Sequence, residues 1–87
     1  MHINYVDELT KSKTVLQQLK QEFNYVKPND QFLLTIERLL KHIEQLLIVC
    51  VKFPNSMTIE ILEADAEYIR LNIEGLGKVL DAIRKSQ

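Results

Sequence analysis

The sequence predicts an all-α fold: an antiparallel bundle of three long amphipathic helices that forms a single helical-bundle domain over residues 1–87. Three observations predict it. The chain has only two Pro and two Gly residues, too few for the many turns of an all-β fold. Apolar residues recur every three or four positions in three segments, which is the periodicity of amphipathic helices. Short turn signals with a proline separate these segments, and short connections favour antiparallel neighbours.

The first helix is predicted to end before the turn Lys27-Pro28-Asn29-Asp30. Pro28 lacks a backbone N–H and restricts the residue before it, so the helix does not continue through this position. Asn29 or Asp30 is then expected to cap the next helix by accepting a hydrogen bond from a free backbone N–H. The apolar stripe of the first helix is weakened at Ser12 and otherwise consists of Tyr5, Leu9, Leu16, Leu19, Phe23 and Val26.

The second helix is predicted to run as far as the turn signal Phe53-Pro54-Asn55-Ser56. Pro54 stops it, and Asn55 or Ser56 is expected to cap the third helix. The single cysteine, Cys50, excludes an internal disulfide, and its place in an apolar run predicts a buried, unreactive thiol. The apolar stripe of this helix consists of Leu33, Ile36, Leu40, Ile43, Leu47 and Cys50.

The third helix has the most regular stripe, with spacings that alternate between three and four residues. Such a seven-residue repeat packs helices at a shallow angle. Gly75 and Gly77 flank Leu76 of this repeat, and each glycine costs a helix about 1 kcal/mol relative to alanine. Three alternatives follow: a short fourth helix after Gly77, a close approach by a neighbouring helix, or surface glycines without a role. The stripe consists of Ile59, Leu62, Ala66, Ile69, Ile73, Leu76, Leu80 and Ile83.

The second and third helices carry more apolar residues than one stripe each requires. In one interpretation the second helix is central and contacts both neighbours. In the other, the excess surface is completed by a second copy in a homodimer or by a different protein docked as a helix in a groove. The candidate protein interface consists of Phe32, Leu39, Leu46, Phe53, Met57, Ile61, Tyr68 and Leu71.

The sequence contains no motif that predicts a catalytic, cofactor-binding or metal site, and we expect no enzyme activity and no small-molecule substrate. His42 lies on the polar side of the second helix and lacks a second ligand at helical spacing. An acidic row along the third helix is interpreted as a solvent-exposed face, or as a rim that steers a basic partner. The row consists of Glu60, Glu63, Glu67 and Glu74.

The charge pattern gives little support for nucleic-acid or membrane binding, and neither partner is expected. The formal net charge is −1, and the longest apolar run, Leu46–Val51, is six residues against the roughly 20 that a membrane span needs. Lys13, Lys20 and Lys27 recur seven residues apart on the first helix and are interpreted as a solubilising face. Because no targeting segment is evident, a cytoplasmic location is expected.

These observations predict a small, non-enzymatic protein that acts through protein–protein binding, either as a homodimer or with a different partner. One alternative is an immunity or inhibitor protein of a phage or bacteriocin system that neutralises one target. Bacteriocin immunity proteins are also small helical bundles, and this chain resembles them in size and class. A second alternative is a weak nucleic-acid accessory protein that uses the lysine row of the first helix.

Overall fold

The fold is an all-α bundle of three helices, as predicted. The computed structural model describes residues 3–28, 30–53, 55 and 58–86, and for residues 3 and 4 the backbone alone. The helices are α1 (Ile3–Val26), α2 (Gln31–Lys52) and α3 (Ile59–Lys85). Each reverses the direction of the one before, so α1 and α3 run parallel. The bundle measures 48 × 18 × 17 Å.

Two short polar side chains cap the N-termini of the second and third helices. The carboxylate of Asp30 caps α2 by accepting a hydrogen bond from the backbone N–H of Phe32 at 2.9 Å, and Asp30 is one of the two predicted caps. The hydroxyl of Thr58 caps α3 by accepting from the N–H of Ile61 at 3.2 Å. The prediction of Asn55 or Ser56 as this cap is wrong, because the helix begins later than the proline signal suggests.

The core contains most of the predicted stripe residues of α1 and α3, and its largest fully enclosed side chain is Phe23. In α2 the buried side is rotated from the predicted stripe, because Leu39 and Leu46 are buried while Leu33, Leu40 and Leu47 are only partly so, and Ile59 of the predicted α3 stripe is exposed. The ring of Phe23 packs against that of Phe32, with the ring centroids 5.8 Å apart, and so joins the end of α1 to the start of α2. Among the described residues the enclosed core contains no polar or charged residue. The other members of the core cluster are Leu9, Leu16, Leu19, Ile36, Leu39, Ile43, Leu46, Cys50, Leu62, Ile69, Leu76 and Leu80.

The central helix is α1, which packs along both α2 and α3, whereas the backbones of α2 and α3 approach each other much less. The interpretation of the second helix as central is therefore wrong. Ion pairs reinforce both sides of α1, since Lys20 pairs with Glu37 of α2 at 3.5 Å and Glu22 pairs with Arg84 of α3 at 3.3 Å. A shallow groove consequently remains between α2 and α3.

Both glycines lie inside an unbroken α3, so no fourth helix follows Gly77. The cost of about 1 kcal/mol per glycine is small beside the burial of the flanking Leu76 and Leu80, which hold this part of the helix on the core. A Cβ atom added to Gly75 or Gly77 would meet no other atom within 4 Å. The structure therefore shows no close approach to either glycine within the chain.

We expect both Gly75→Ala and Gly77→Ala to stabilise the protein by about 0.5–1 kcal/mol each, because alanine reduces the entropy of the unfolded chain and encounters open space. Urea unfolding at low protein concentration measures the effect. A loss of stability in either variant would contradict the continuous, uncrowded helix described here.

We expect Ile69→Ala to cost about 2–5 kcal/mol of unfolding free energy, because this side chain is fully enclosed in the core. Ile61 is the matched control, since it lies on the same helix but is 49% exposed. Its replacement by alanine is expected to cost less than about 1 kcal/mol. Similar losses in the two variants, measured by urea unfolding, would show that the assignment of the buried side of α3 is incorrect.

Candidate protein-binding surface

The surface on which α2 and α3 lie side by side, opposite α1, is called here the α2–α3 face. Two shallow depressions run along its groove. One is lined by Thr35, Arg38, Leu39, His42 and Tyr68. The other is lined by Phe32, Thr35, Leu71, Asn72, Gly75, Leu76 and Val79.

A second periodic stripe on α3 borders this groove and is exposed. Ile61, Tyr68 and Leu71 are 49%, 57% and 53% exposed, respectively. Together with small exposed residues they follow the alternating three- and four-residue spacing of a helix-packing surface. We call this set the outer stripe: Ile61, Ala64, Tyr68, Leu71, Gly75 and Ala82, with Lys78 at the one charged position of the repeat.

The structure separates the predicted interface residues into two groups. Leu39 and Leu46 are only 4% and 6% exposed, so their assignment to an open interface is wrong. They belong to the core because α2 turns a wide apolar side toward both neighbouring helices. Phe32 packs partly against the core, and Phe53 is exposed at the end of α2. Ile61, Tyr68 and Leu71 lie together on the outer stripe, while Met57 lies outside the described residues.

Four carboxylates seven residues apart follow one side of the outer stripe, and we call them the acidic edge: Glu60, Glu67, Glu74 and Asp81. They lie on the side of the stripe that points away from α2, since Asp65, Asn72 and Val79 occupy the side toward it. Arg70 donates from Nε to Glu67 at 3.0 Å, and this hydrogen bond lowers the pKa of the Glu67 carboxyl. The acidic edge is therefore a charged rim next to an apolar surface.

Positive charges lie on the outward side of α2, across the groove. Arg38 is exposed there and lines the groove with His42 and Tyr68, whereas Lys41 and Lys52 lie on the same side of α2 as Leu34, away from this groove. Near Arg38, His42 Nε2 lies 3.8 Å from Asp65 Oδ1, and among the described residues this is the one contact within 4 Å between a basic nitrogen and a carboxylate that joins α2 and α3. No local signal in the sequence indicates this contact, because its members lie 23 positions apart on different helices.

The lysine row of α1 has partners within the chain. Lys13 lies 3.7 Å from Glu44, Lys20 pairs with Glu37, and Lys27 lies 3.1 Å from Asp30. The row thus aligns α1 with α2 and is not a free cationic surface. Its last pair is the best enclosed, since the Asp30 side chain is 7% exposed. The capping N–H of Phe32, and then the Lys27 ammonium, lower the pKa of the Asp30 carboxyl.

The acidic edge and the thiol of Cys50 show no feature of a reactive site. Desolvation raises the pKa of Cys50, which is buried as predicted. Within the described part of the chain, no three His, Cys, Asp or Glu side chains are grouped so that they could hold a metal ion. None of the helices in that part has the length and hydrophobicity that a membrane span needs.

Comparisons of the chain with protein families, curated proteins and solved structures find no match.

We expect the stability that Asp30 contributes to depend on pH. Its folded-state pKa lies below the unfolded value, so this contribution is complete above about pH 4 and is lost as pH falls through the folded value. Asp30→Asn retains a capping side chain but removes the charge. The difference in unfolding free energy between wild type and Asp30→Asn should therefore shrink in urea titrations below about pH 4. A difference that is constant from about pH 2 to 7 contradicts the assignment.

Proposed function

We propose that this chain is a non-enzymatic protein that acts by binding protein through its α2–α3 face, with the outer stripe at the centre of the contact. The observation that carries the proposal is the half-exposure of three large apolar side chains, Ile61, Tyr68 and Leu71, at regular helical spacing. These side chains contribute little to the enclosed core, so the fold alone does not account for them.

Burial of these side chains supplies a driving force for binding. Complete burial of a large apolar side chain stabilises by about 1.5–3 kcal/mol, and each of the three is about half exposed in the chain alone. A partner that covers all three therefore gains about 3 kcal/mol before the costs of association. Because the stripe lies on a continuous helix, little backbone ordering opposes this gain.

The charges beside the stripe suit protein recognition better than catalysis or nucleic-acid binding. The acidic edge on α3 and Arg38 on α2 lie on opposite sides of the groove, so a partner with complementary charges is guided to one orientation. The opposite groove, between α1 and α2, is lined by polar side chains such as Gln17, Gln21 and Asn24 together with Leu33, Leu34 and Leu40. The regular stripe of large exposed apolar side chains distinguishes the α2–α3 face from it.

The proposal includes two kinds of partner, a second copy of the chain or a different protein. An immunity or inhibitor protein belongs to the second kind, since it neutralises its target by covering part of it. The nucleic-acid alternative is not pursued, because Lys13, Lys20 and Lys27 form ion pairs within the chain.

We expect Leu71→Asp to abolish association while the protein stays folded. Leu34→Asp is a matched control, because Leu34 is also a surface leucine and is 57% exposed but lies in the polar α1–α2 groove. Sedimentation measures self-association, and quantitative capture from an extract of the source cells measures binding to other proteins. Circular dichroism establishes that both variants remain helical.

The difference between the effects of Leu71→Asp and Leu34→Asp on association tests the proposal. Association that is lost in Leu71→Asp and retained in Leu34→Asp supports the α2–α3 face as the binding surface. Equal effects of the two substitutions, or no association in the wild type by either measurement, reject the proposal.

A further inference from the structure

We propose that the groove of the α2–α3 face binds a helix of a different protein, and that Arg38 holds one carboxylate of that helix. This inference rests on the proposed function, because it names the chemistry of the partner that binds the same surface. It follows from the polar groups that line the groove without partners, from the spacing of its two depressions and from the pairing of the chain's own carboxylates.

Arg38 is the arginine whose charge the fold leaves unpaired. Arg70 binds the carboxylate of Glu67. Arg84 binds that of Glu22. The guanidinium of Arg38, in contrast, makes no hydrogen bond or ion pair with any residue that the structure describes. Because the N–H groups of a guanidinium match the two oxygens of a carboxylate, Arg38 is available to bind a carboxylate of another molecule.

Two hydroxyl groups lie beside Arg38 in the same depression. Thr35 and Tyr68 line it together with His42, and Leu39, which is 4% exposed, forms its floor. Neither the Thr35 nor the Tyr68 hydroxyl makes a hydrogen bond within the described part of the chain. A carboxylate that enters the depression therefore finds a cation and two free O–H donors above an apolar floor. Charge-assisted hydrogen bonds are stronger in such surroundings than on an open surface.

The charges around the depression favour a carboxylate over a phosphate as the bound group. The carboxylate of Asp65 lies 3.8 Å from His42, one turn of α2 beyond Arg38, and the acidic edge follows the far side of the outer stripe. Repulsion by these groups grows with the charge of the ligand, and a phosphate monoester carries about −1.5 to −2 at pH 7. A carboxylate, with its single charge, encounters less repulsion at Arg38.

The second depression of the groove is mainly apolar and lies about two helical turns from the first. Its apolar lining consists of Phe32, Leu71, Leu76 and Val79. Thr35 borders both depressions. Arg38 and Phe32 are about 9 Å apart along α2, at about 1.5 Å per residue. Two side chains on one side of a partner helix, two turns apart, therefore reach both depressions, one with a carboxylate and the other with a large apolar group.

The chain's own carboxylates favour a different protein over a second copy as the source of this helix. Beside Tyr68 and Leu71, Glu67 binds Arg70, and Glu74 lies 3.7 Å from Lys78. A second copy that offered either carboxylate to Arg38 would exchange one exposed ion pair for another and gain little. A different protein that offers an unpaired carboxylate gains the interaction in full.

Two synthetic helices test the chemistry of the partner. The first is an alanine-rich peptide of about 20 residues that carries one glutamate and, about seven positions further on, one leucine. The second has glutamine in place of the glutamate. NMR titration of the full chain with the first peptide should shift the signals of Thr35 and Leu71 saturably, with a Kd of the order of 1 mM. The second peptide should bind about fivefold more weakly, because it lacks the charge.

Exchange of the charges identifies Arg38 as the contact. Arg38→Glu should weaken binding of the glutamate peptide by about tenfold. A third peptide, with lysine in place of the glutamate, should bind Arg38→Glu more tightly than it binds the wild type, which a folding defect does not produce. Lys41→Glu is the matched control, since it makes the same change of charge on α2 away from the groove. It should change the affinity less than about twofold at physiological salt.

Four results overturn this inference. The first is the absence of a saturable shift at about 10 mM of the glutamate peptide. The second is equal binding of the glutamate and glutamine peptides, and the third is an equal effect of Arg38→Glu and Lys41→Glu. The fourth is self-association of the wild type that depends on Leu71 but not on Arg38. In each case the proposed function stands if Leu71→Asp abolishes association that Leu34→Asp retains, and it falls if the wild type associates with no protein.

Discussion

The packing of α2 and α3 onto α1 is the interaction on which the rest of the structure depends. Each helix presents apolar side chains at alternating three- and four-residue spacing, and these enclose Phe23, Ile43 and Ile69 completely. The ion pairs beside α1 are largely exposed and contribute little energy by comparison, but they align it with both neighbours. With α1 in the centre, α2 and α3 share only a shallow groove.

This arrangement gives α3 two different surfaces. One side, which includes Leu62 and Leu76, is buried in the core. The opposite side of the helix cannot contact the same neighbour. The outer stripe therefore remains open beside the groove, although its residues have the size and spacing of a packing surface. Most of the carboxylates and cations near it lie at the edges and not among the apolar residues, which leaves the centre suited to contact with protein.

The sequence predicted the helices and most of the core because these depend on local signals. Proline ended α1 in the predicted place, and Asp30 is a cap that a short polar side chain after proline suggests. The features that the sequence could not predict depend on which helix lies in the centre of the bundle. Leu39 and Leu46 were assigned to an interface because periodicity shows how wide an apolar side is but not which neighbour covers it. The His42–Asp65 pair, likewise, joins residues that only the tertiary fold brings together.

Methyl NMR spectra of the dilute protein, recorded with and without a soluble paramagnetic probe, test the central claim most directly, namely that the inner side of α3 holds the fold while its outer stripe is open for binding. The account predicts that the probe broadens the methyl signals of Ile61 and Leu71 strongly, whereas it broadens those of Leu62 and Ile69, enclosed in the core, much less. Equal broadening of the two pairs would contradict it.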